Sequence, residues 1–274
     1  MSKLLFHRHW GSDQDSSQNV VPIVAIHGLF GSMENLGMIT RLLKDEYSVY
    51  GVDLPNHGRS PHVSDASLAA MATMMVNWMD HLGLRSAYFL GHSLGGKVAM
   101  EVALRHPERV EGIIVADIAP VAYPRRHDDV FQAFDAVDLA NLTSRGDADK
   151  AMQAFVGEPS TRSFLLKNLE KNDGRWQWRV NLDALIDNYD GFIQANTPDQ
   201  APYTKPVLFI KGEKSNYILP QYTEATLALF PKADVKIIND TEHWLHAEKP
   251  ELFTRIVKRF LDQVGRDKVD TSIP

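Results

Sequence analysis

Ser93 stands in the run GHSLGGKVAM (91–100), with the apolar segment AYFL before it and a helix-like segment after it. A serine hydroxyl is a weak nucleophile at neutral pH and reacts only where a base takes its proton and an acid orients that base. Gly-x-Ser-x-Gly alone is weak evidence. Its setting of strand, tight turn and helix is what a nucleophile elbow requires. Gly91 and Gly95 keep side chains out of a turn in which Ser93 must take a strained backbone conformation, its hydroxyl projecting above the sheet. The plainer alternative is a serine that only caps the following helix.

The base is expected late in the chain, in a loop after the last strand. In NDTEHWLHAEKPELF (239–253), His243 follows the strand-like VKII by a short turn; His246 is its rival, with helix-start packing or cleft lining as its expected role. The acid belongs between nucleophile and base in chain order. In PVLFIKGEKSNYIL (206–219), where an aspartate usually follows the strand's glycine by three residues, stand Ser215 and Asn216, neither able to stabilise an imidazolium. The strand beside the nucleophile strand ends in IIVADIAP (113–120), which places Asp117 at its carboxyl end, where catalytic groups of open α/β sheets collect. Asp117 is therefore the expected acid, with Asp240 and Glu213 as remote alternatives and helix capping as its plain structural role. Two backbone N–H donors must meet the oxyanion: Leu94 after the nucleophile, and Leu29 in HGLFGS (27–32), with Phe30 as the fallback. His27 is expected to brace that loop, and DLPNHGRS (53–60) to be a hydrogen-bonded turn.

These residues need a scaffold. The 274 residues, 44% hydrophobic, suffice for one large core carrying an inserted layer. Short apolar runs at 20–28, 47–55, 87–93, 110–120, 206–213 and 233–240 are mostly continuous, as in strands buried on both faces of a parallel sheet. Between them lie helical patterns. Leu68, Met71, Met75, Trp78 and Leu82 recur at helical spacing before a Gly83 stop, and a last helix opens at Pro250 and repeats Leu252, Ile256, Phe260 and Val264. The pattern predicts an α/β fold with a mostly parallel central sheet and flanking helices. Residues 121–202 lack a convincing core strand and offer the amphipathic pieces HDDVFQAFDAV, STRSFLLKNLEK and VNLDALIDNYDGF. They are expected to form a helical cap, or lid, inserted into a core domain of residues 1–120 and 203–274. Trp176, Trp178, Tyr189 and Phe192 would pack that cap or line a cleft beneath it. The final DKVDTSIP reads as a loose tail.

Composition narrows the function. A net charge of −6 gives no bulk attraction to nucleic acid or anionic membranes. The absence of cysteine excludes disulfides, thiolate metal sites and cysteine nucleophiles. Histidines 7, 9, 57, 62, 81, 92, 106 and 127 show no metal-ligand spacing, and there is neither a Gly-x-Gly-x-x-Gly run nor a P-loop, so no metal and no cofactor is expected. No segment reads as a signal peptide or a membrane span, which points to a cytoplasmic protein without stable membrane insertion. Monomer and dimer both remain open.

With HGLFGS, DLPNHGRS, GHSLGGKVAM and HWLHAEKP in that order, the sequence resembles the α/β-hydrolase superfamily over essentially its whole length. More narrowly it resembles YbfF-type bacterial esterases, through GHSLGGK, DIAPVAYPRRHDDVF and the aspartate-free GEKSNYI; EKSN stands where those esterases tend to have a glycine-rich GNSP turn. The resemblance implies Ser93 as nucleophile, His243 as base and Asp117 as acid. It implies hydrolysis of small hydrophobic esters with short to medium acyl chains under a helical lid. Acyl-CoA thioesters are the alternative substrates, with Arg125, Arg126 and Arg162 able to meet CoA phosphates, and carbon–carbon hydrolase or lyase chemistry uses related triads.

Overall fold

The computed structural model describes residues 4–11, 21–196 and 201–271. In chain order the strands of its main sheet are β1 (His7–Trp10), β2 (Ile23–Ile26), β3 (Val49–Val52), β4 (Ala87–His92), β5 (Val110–Ala116), β8 (Val207–Gly212) and β9 (Ala233–Ile238); β6 (Leu169–Asn172) and β7 (Arg175–Trp178) form a separate hairpin. The seven strands lie in the order β1-β3-β2-β4-β5-β8-β9. All neighbours are parallel except β1, which pairs antiparallel with β3.

The twofold alternation of side chains along each central strand builds two apolar layers. On one face Val24, Phe89, Ile113, Val115 and Phe209 pack with α2 (Leu68–His81) and α3 (Leu94–Arg105). On the other, Ala25, Leu90, Ile114, Leu208 and Ile210 pack with α1 (Gly37–Leu43) and α10 (Pro250–Thr271). Both faces are covered, which explains why these strands read as continuous apolar runs. The α2 reading holds at both ends: the Ser67 hydroxyl accepts from Ala70 N–H, and Gly83, at φ +69°, leaves the helix.

Three expectations need correction, and one strand was not anticipated. In α10 the row pressed on the sheet is Phe253, Val257, Leu261 and Val264, whereas Leu252, Ile256 and Phe260 flank it half-buried, because the apolar stripe is wide enough to hold two ridges. The expected tail from residue 267 continues this helix to Thr271; residues 272–274 lie outside the described residues. The piece 160–171 is not one helix. It leaves the helix after Leu165 and enters β6, which turns back into β7 through Asp173 and Gly174, both at positive φ as an Asp-Gly hairpin turn requires. Finally, β1 is an edge strand in HRHW that had no apolar run to announce it.

Adjacent β5 and β8 are separated in the chain by the whole interval that holds α4 (Asp128–Asp135), α5 (Arg145–Met152), α6 (Pro159–Leu165), the hairpin and α7 (Leu182–Phe192). After β8 come α8 (Thr223–Leu229), β9 and the short α9 (Leu245–Glu248). No helix among the described residues is long and apolar enough to cross a membrane.

Candidate active site

Ser93 occupies the junction of β4 and α3 with φ 53° and ψ −118°. The glycines make that junction possible. A Cβ on Gly91 would stand 2.2 Å from the Gly95 carbonyl oxygen, and one on Gly95 would stand 2.3 Å from the Ile26 carbonyl oxygen. Strain is concentrated here: Phe30, Ser93 and Asp117 are three of the six non-glycine residues at positive φ among the described residues.

Asp117 follows β5 and is fully buried. Its Oδ2 accepts from His243 Nδ1 at 2.8 Å and from the Ser215 hydroxyl, while Oδ1 accepts from Gly212 N–H at 3.1 Å. A carboxylate held by three donors is fixed, and it fixes the imidazole in turn. The His243 ring is further sandwiched by its neighbours: Tyr217 stacks on it at 4.1 Å and 25°, and His92 lies 4.7 Å away and donates from Nε2 to the His243 carbonyl. With Nδ1 spent on Asp117, Nε2 is the nitrogen left for a proton. His243 and Ser93 border the same cleft, of about 430 Å³, together with Leu29.

The rivals of these residues are engaged elsewhere. Asp240 pairs with Lys214 at 3.5 Å, and Glu213 accepts from the Asp240 N–H. His246 lines the cleft against His92, ring to ring at 4.3 Å, and makes no pair with Asp117. Ser215, set aside as a neutral group, holds the acid that stands on the neighbouring strand end; its place where an aspartate is usual was the one signal available.

Leu94, as the first residue of α3, has an N–H without an intrahelical acceptor, and Leu29 borders the same small pocket as Ser93 and Leu94. The fallback donor Phe30 is excluded, because its N–H donates to His57 Nε2 at 3.1 Å. Phe30 is held on its other side too: Asn168 donates to its carbonyl at 2.8 Å, and its ring meets Phe131 and Phe134 at 5.3 and 5.2 Å. Asn168, Phe131 and Phe134 thus grip the loop that carries Leu29. As expected, His27 braces this loop, donating from Nδ1 to the Gly28 carbonyl and accepting from Leu54 N–H at Nε2. The 53–60 turn is tied together by Asp53, whose carboxylate accepts from Met33 N–H and Arg59 N–H.

His27 and His57 each use one ring nitrogen as acceptor, so both are neutral, and burial pushes them down to about 4 and about 3. Burial pushes His246 to about 3 as well. The unfolded chain binds these three protons near pH 6.5, whereas the folded chain refuses them until about pH 4 or below. Stability is therefore greatest above 6.5 and falls as pH falls. Each group contributes roughly 1.4 kcal/mol per pH unit, up to about 4 kcal/mol per unit for three. Urea melts at pH 7.5 and 5.5 are expected to differ by several kcal/mol; equal midpoints would contradict neutral burial of these rings.

Over the cleft, fully buried Tyr189 accepts from Arg126 N–H, and its own proton goes to His127 Nδ1 at 2.7 Å, leaving the hydrogen of His127 on Nε2. Burial lowers His127 to about 4, so it is an uncharged donor that lines the same cleft as Ser93. Phe192 lines a smaller pocket that also borders Ser93, Trp178 packs edge-on against Phe134 at 4.8 Å, and Trp176 lies under Lys171. Two arginines expected to be able to meet CoA are used internally. Arg125 pairs with Asp128 and Asp190, and Arg162, buried, pairs with Asp149 at 2.8 Å. Arg126 stacks on Tyr217 and donates to Asn216.

Comparison with known proteins identifies the family. The sequence model of the alpha/beta hydrolase fold family matches residues 21–250. Over 249 residues the chain is 37% identical to esterase YbfF of Escherichia coli K12, covering 90% of this chain and 95% of that one. It is 37% identical over 255 residues to the mouse (Mus musculus) sn-1-specific diacylglycerol lipase ABHD11, covering 90% and 83%. Among solved structures it is similar to a marine microorganism esterase, with a TM-score of 0.89 and 34% identity over 94% of this chain and all of the other.

Proposed function

The chain belongs to the α/β-hydrolase family, and from that premise we propose that it is a serine carboxylesterase acting on small hydrophobic esters of short- to medium-chain acids. Ser93 Oγ attacks the ester carbonyl while His243 Nε2 takes its proton, and Asp117 stabilises the imidazolium that forms. The Leu29 and Leu94 N–H groups receive the oxyanion. The imidazolium then gives its proton to the departing alkoxide, leaving an acyl-enzyme on Ser93. Water, deprotonated by His243, releases the acid and restores the hydroxyl. Residues 121–202 act as the lid, through their grip on Phe30. The observation that carries the reading is the buried Asp117 carboxylate on His243 Nδ1, at the edge of the cleft that holds Ser93. Relatives named as esterases and a lipase support it.

The test is covalent labelling with a fluorophosphonate, which reacts with serines activated in this way. One adduct per chain on the peptide that contains Ser93 is expected, with loss of p-nitrophenyl acetate and butyrate hydrolysis in proportion. No adduct, or an adduct on another serine, would overturn the proposal.

A further inference from the structure

Two chambers meet at Ser93, and they differ in size and in what borders them. The larger, of about 430 Å³, is bordered by His243, Trp244 and Phe164 and by the polar Glu34, Ser160 and Lys167. The smaller, of about 40 Å³, is bordered by Leu94, Ile118, Tyr123, Phe192 and Tyr217. Leu29, Ser93 and His127 are common to both, so the reacting carbon sits on the boundary. Only the larger chamber is bordered by His243.

The chemistry of the leaving group turns this asymmetry into an orientation. In the tetrahedral intermediate the carbonyl carbon carries four groups: Ser93 Oγ, the oxyanion at the Leu29 and Leu94 amides, the acyl chain and the alkoxy oxygen. Collapse transfers the Nε2 proton of His243 to the alkoxy oxygen as the C–O bond breaks, so that oxygen must lie within hydrogen-bond reach of His243. The alcohol part of the ester therefore fills the larger chamber, and the acyl chain is left with the smaller one. Deacylation fits the same assignment, because the incoming water must also reach His243 and enters by the space that the alcohol has vacated.

We infer that the enzyme takes esters of short acids with bulky alcohols, the acyl group in the Tyr123–Phe192–Tyr217 chamber and the alcohol in the His243–Trp244–Phe164 chamber. The inference rests on the serine-esterase reading above. A water fills roughly 10–15 Å³ of such a chamber, so this one takes about three heavy atoms, which suits acyl groups of about two to four carbons. Its walls do not yield easily. The Tyr123 hydroxyl donates to the Tyr217 carbonyl and accepts from Ala119 N–H, and Tyr189 is tied to His127. At its floor the buried Lys97 ammonium donates to the Val121 and Gln194 carbonyls, each at 2.6 Å. A long acyl chain would have to break this set of bonds. The larger chamber is bordered by apolar residues, Leu29, Phe164 and Trp244, and by polar ones, Glu34, Ser160 and Lys167, which matches an alcohol with an apolar body and a polar end.

Two isomeric esters separate the orientations: octyl acetate carries its bulk on the alcohol, ethyl octanoate on the acid. The expected kcat/KM ratio favours octyl acetate by roughly 100-fold or more, since several methylenes are at stake and each is worth 10-fold or more in a fitted pocket. Phe192→Ala, which opens the small chamber, is expected to raise ethyl octanoate turnover and narrow the ratio; Ile193→Ala makes the same test at a half-buried position should Phe192→Ala not fold. Equal rates, or a preference for ethyl octanoate, would overturn the orientation. So would failure of both esters while fluorophosphonate still labels Ser93. Failure of both with no labelling would instead bring down the serine-esterase reading itself, and this inference with it.

Discussion

Ser93→Ala is expected to lower kcat on p-nitrophenyl butyrate by about 10⁶-fold, the scale seen when the nucleophile of a serine triad is deleted. The residue left behind still binds substrate and still presents the Leu29 and Leu94 amides, so roughly 10³-fold acceleration over water survives. A variant this inactive must be shown to be folded, and the backbone supplies the control. At φ 53° a serine and an alanine are strained alike, so Ser93→Ala leaves stability nearly unchanged. Ser93→Gly removes the Cβ from that conformation and is expected to be equally inactive yet more stable by about 1 kcal/mol. Thermal melts read the second quantity and initial rates the first. Retention of a few per cent of wild-type activity by either variant would mean that Ser93 is not the nucleophile.

How much of this could be read from the chain depends on the distance over which each feature is decided. The elbow is local: Gly91, Ser93 and Gly95 lie within five positions, and the clashes that exclude side chains at 91 and 95 arise inside the turn and against β2. Asp117 was legible for a topological reason, since a parallel sheet brings the ends of β4 and β5 side by side. The supports were not legible. Ser215 reaches Asp117 across 98 positions, and Asn168 reaches the Phe30 carbonyl across 138. Such pairs are made by packing, and neither residue type announces its partner. His57 was seen only as part of a structural turn, and that description is incomplete, because the same turn pins Phe30 and so aims the loop that carries Leu29. The hairpin of β6 and β7 carried an Asp-Gly signal that the apolar spacing of the preceding helix obscured.

Asp117→Asn is the second large effect, expected at about 10⁴-fold in kcat, the cost of the corresponding change in a serine protease triad. The cause is the tautomer of His243 and not a lost contact. An asparagine amide can still accept from Gly212 N–H through its oxygen, while its NH₂ takes the place of Oδ2 opposite His243. Facing a donor, Nδ1 must become the acceptor, so the ring hydrogen moves to Nε2 and no lone pair remains there for the Ser93 proton. The neutral amide also cannot stabilise an imidazolium. Ser215→Ala removes one of the three donors on the carboxylate but leaves its charge and its bond to His243, so its expected loss in kcat is about 10-fold or less, the worth of one hydrogen bond to a charged group. The two variants together test whether Asp117 acts through its charge on His243 or merely ties β5 to β8. If Asp117→Asn and Ser215→Ala lose activity equally, and in step with stability, the carboxylate is a structural tie and the base must be oriented by something else. If Asp117→Asn alone collapses kcat in a chain that melts close to wild type, the acid of this site stands at the end of β5, with Ser215 holding it from the turn after β8.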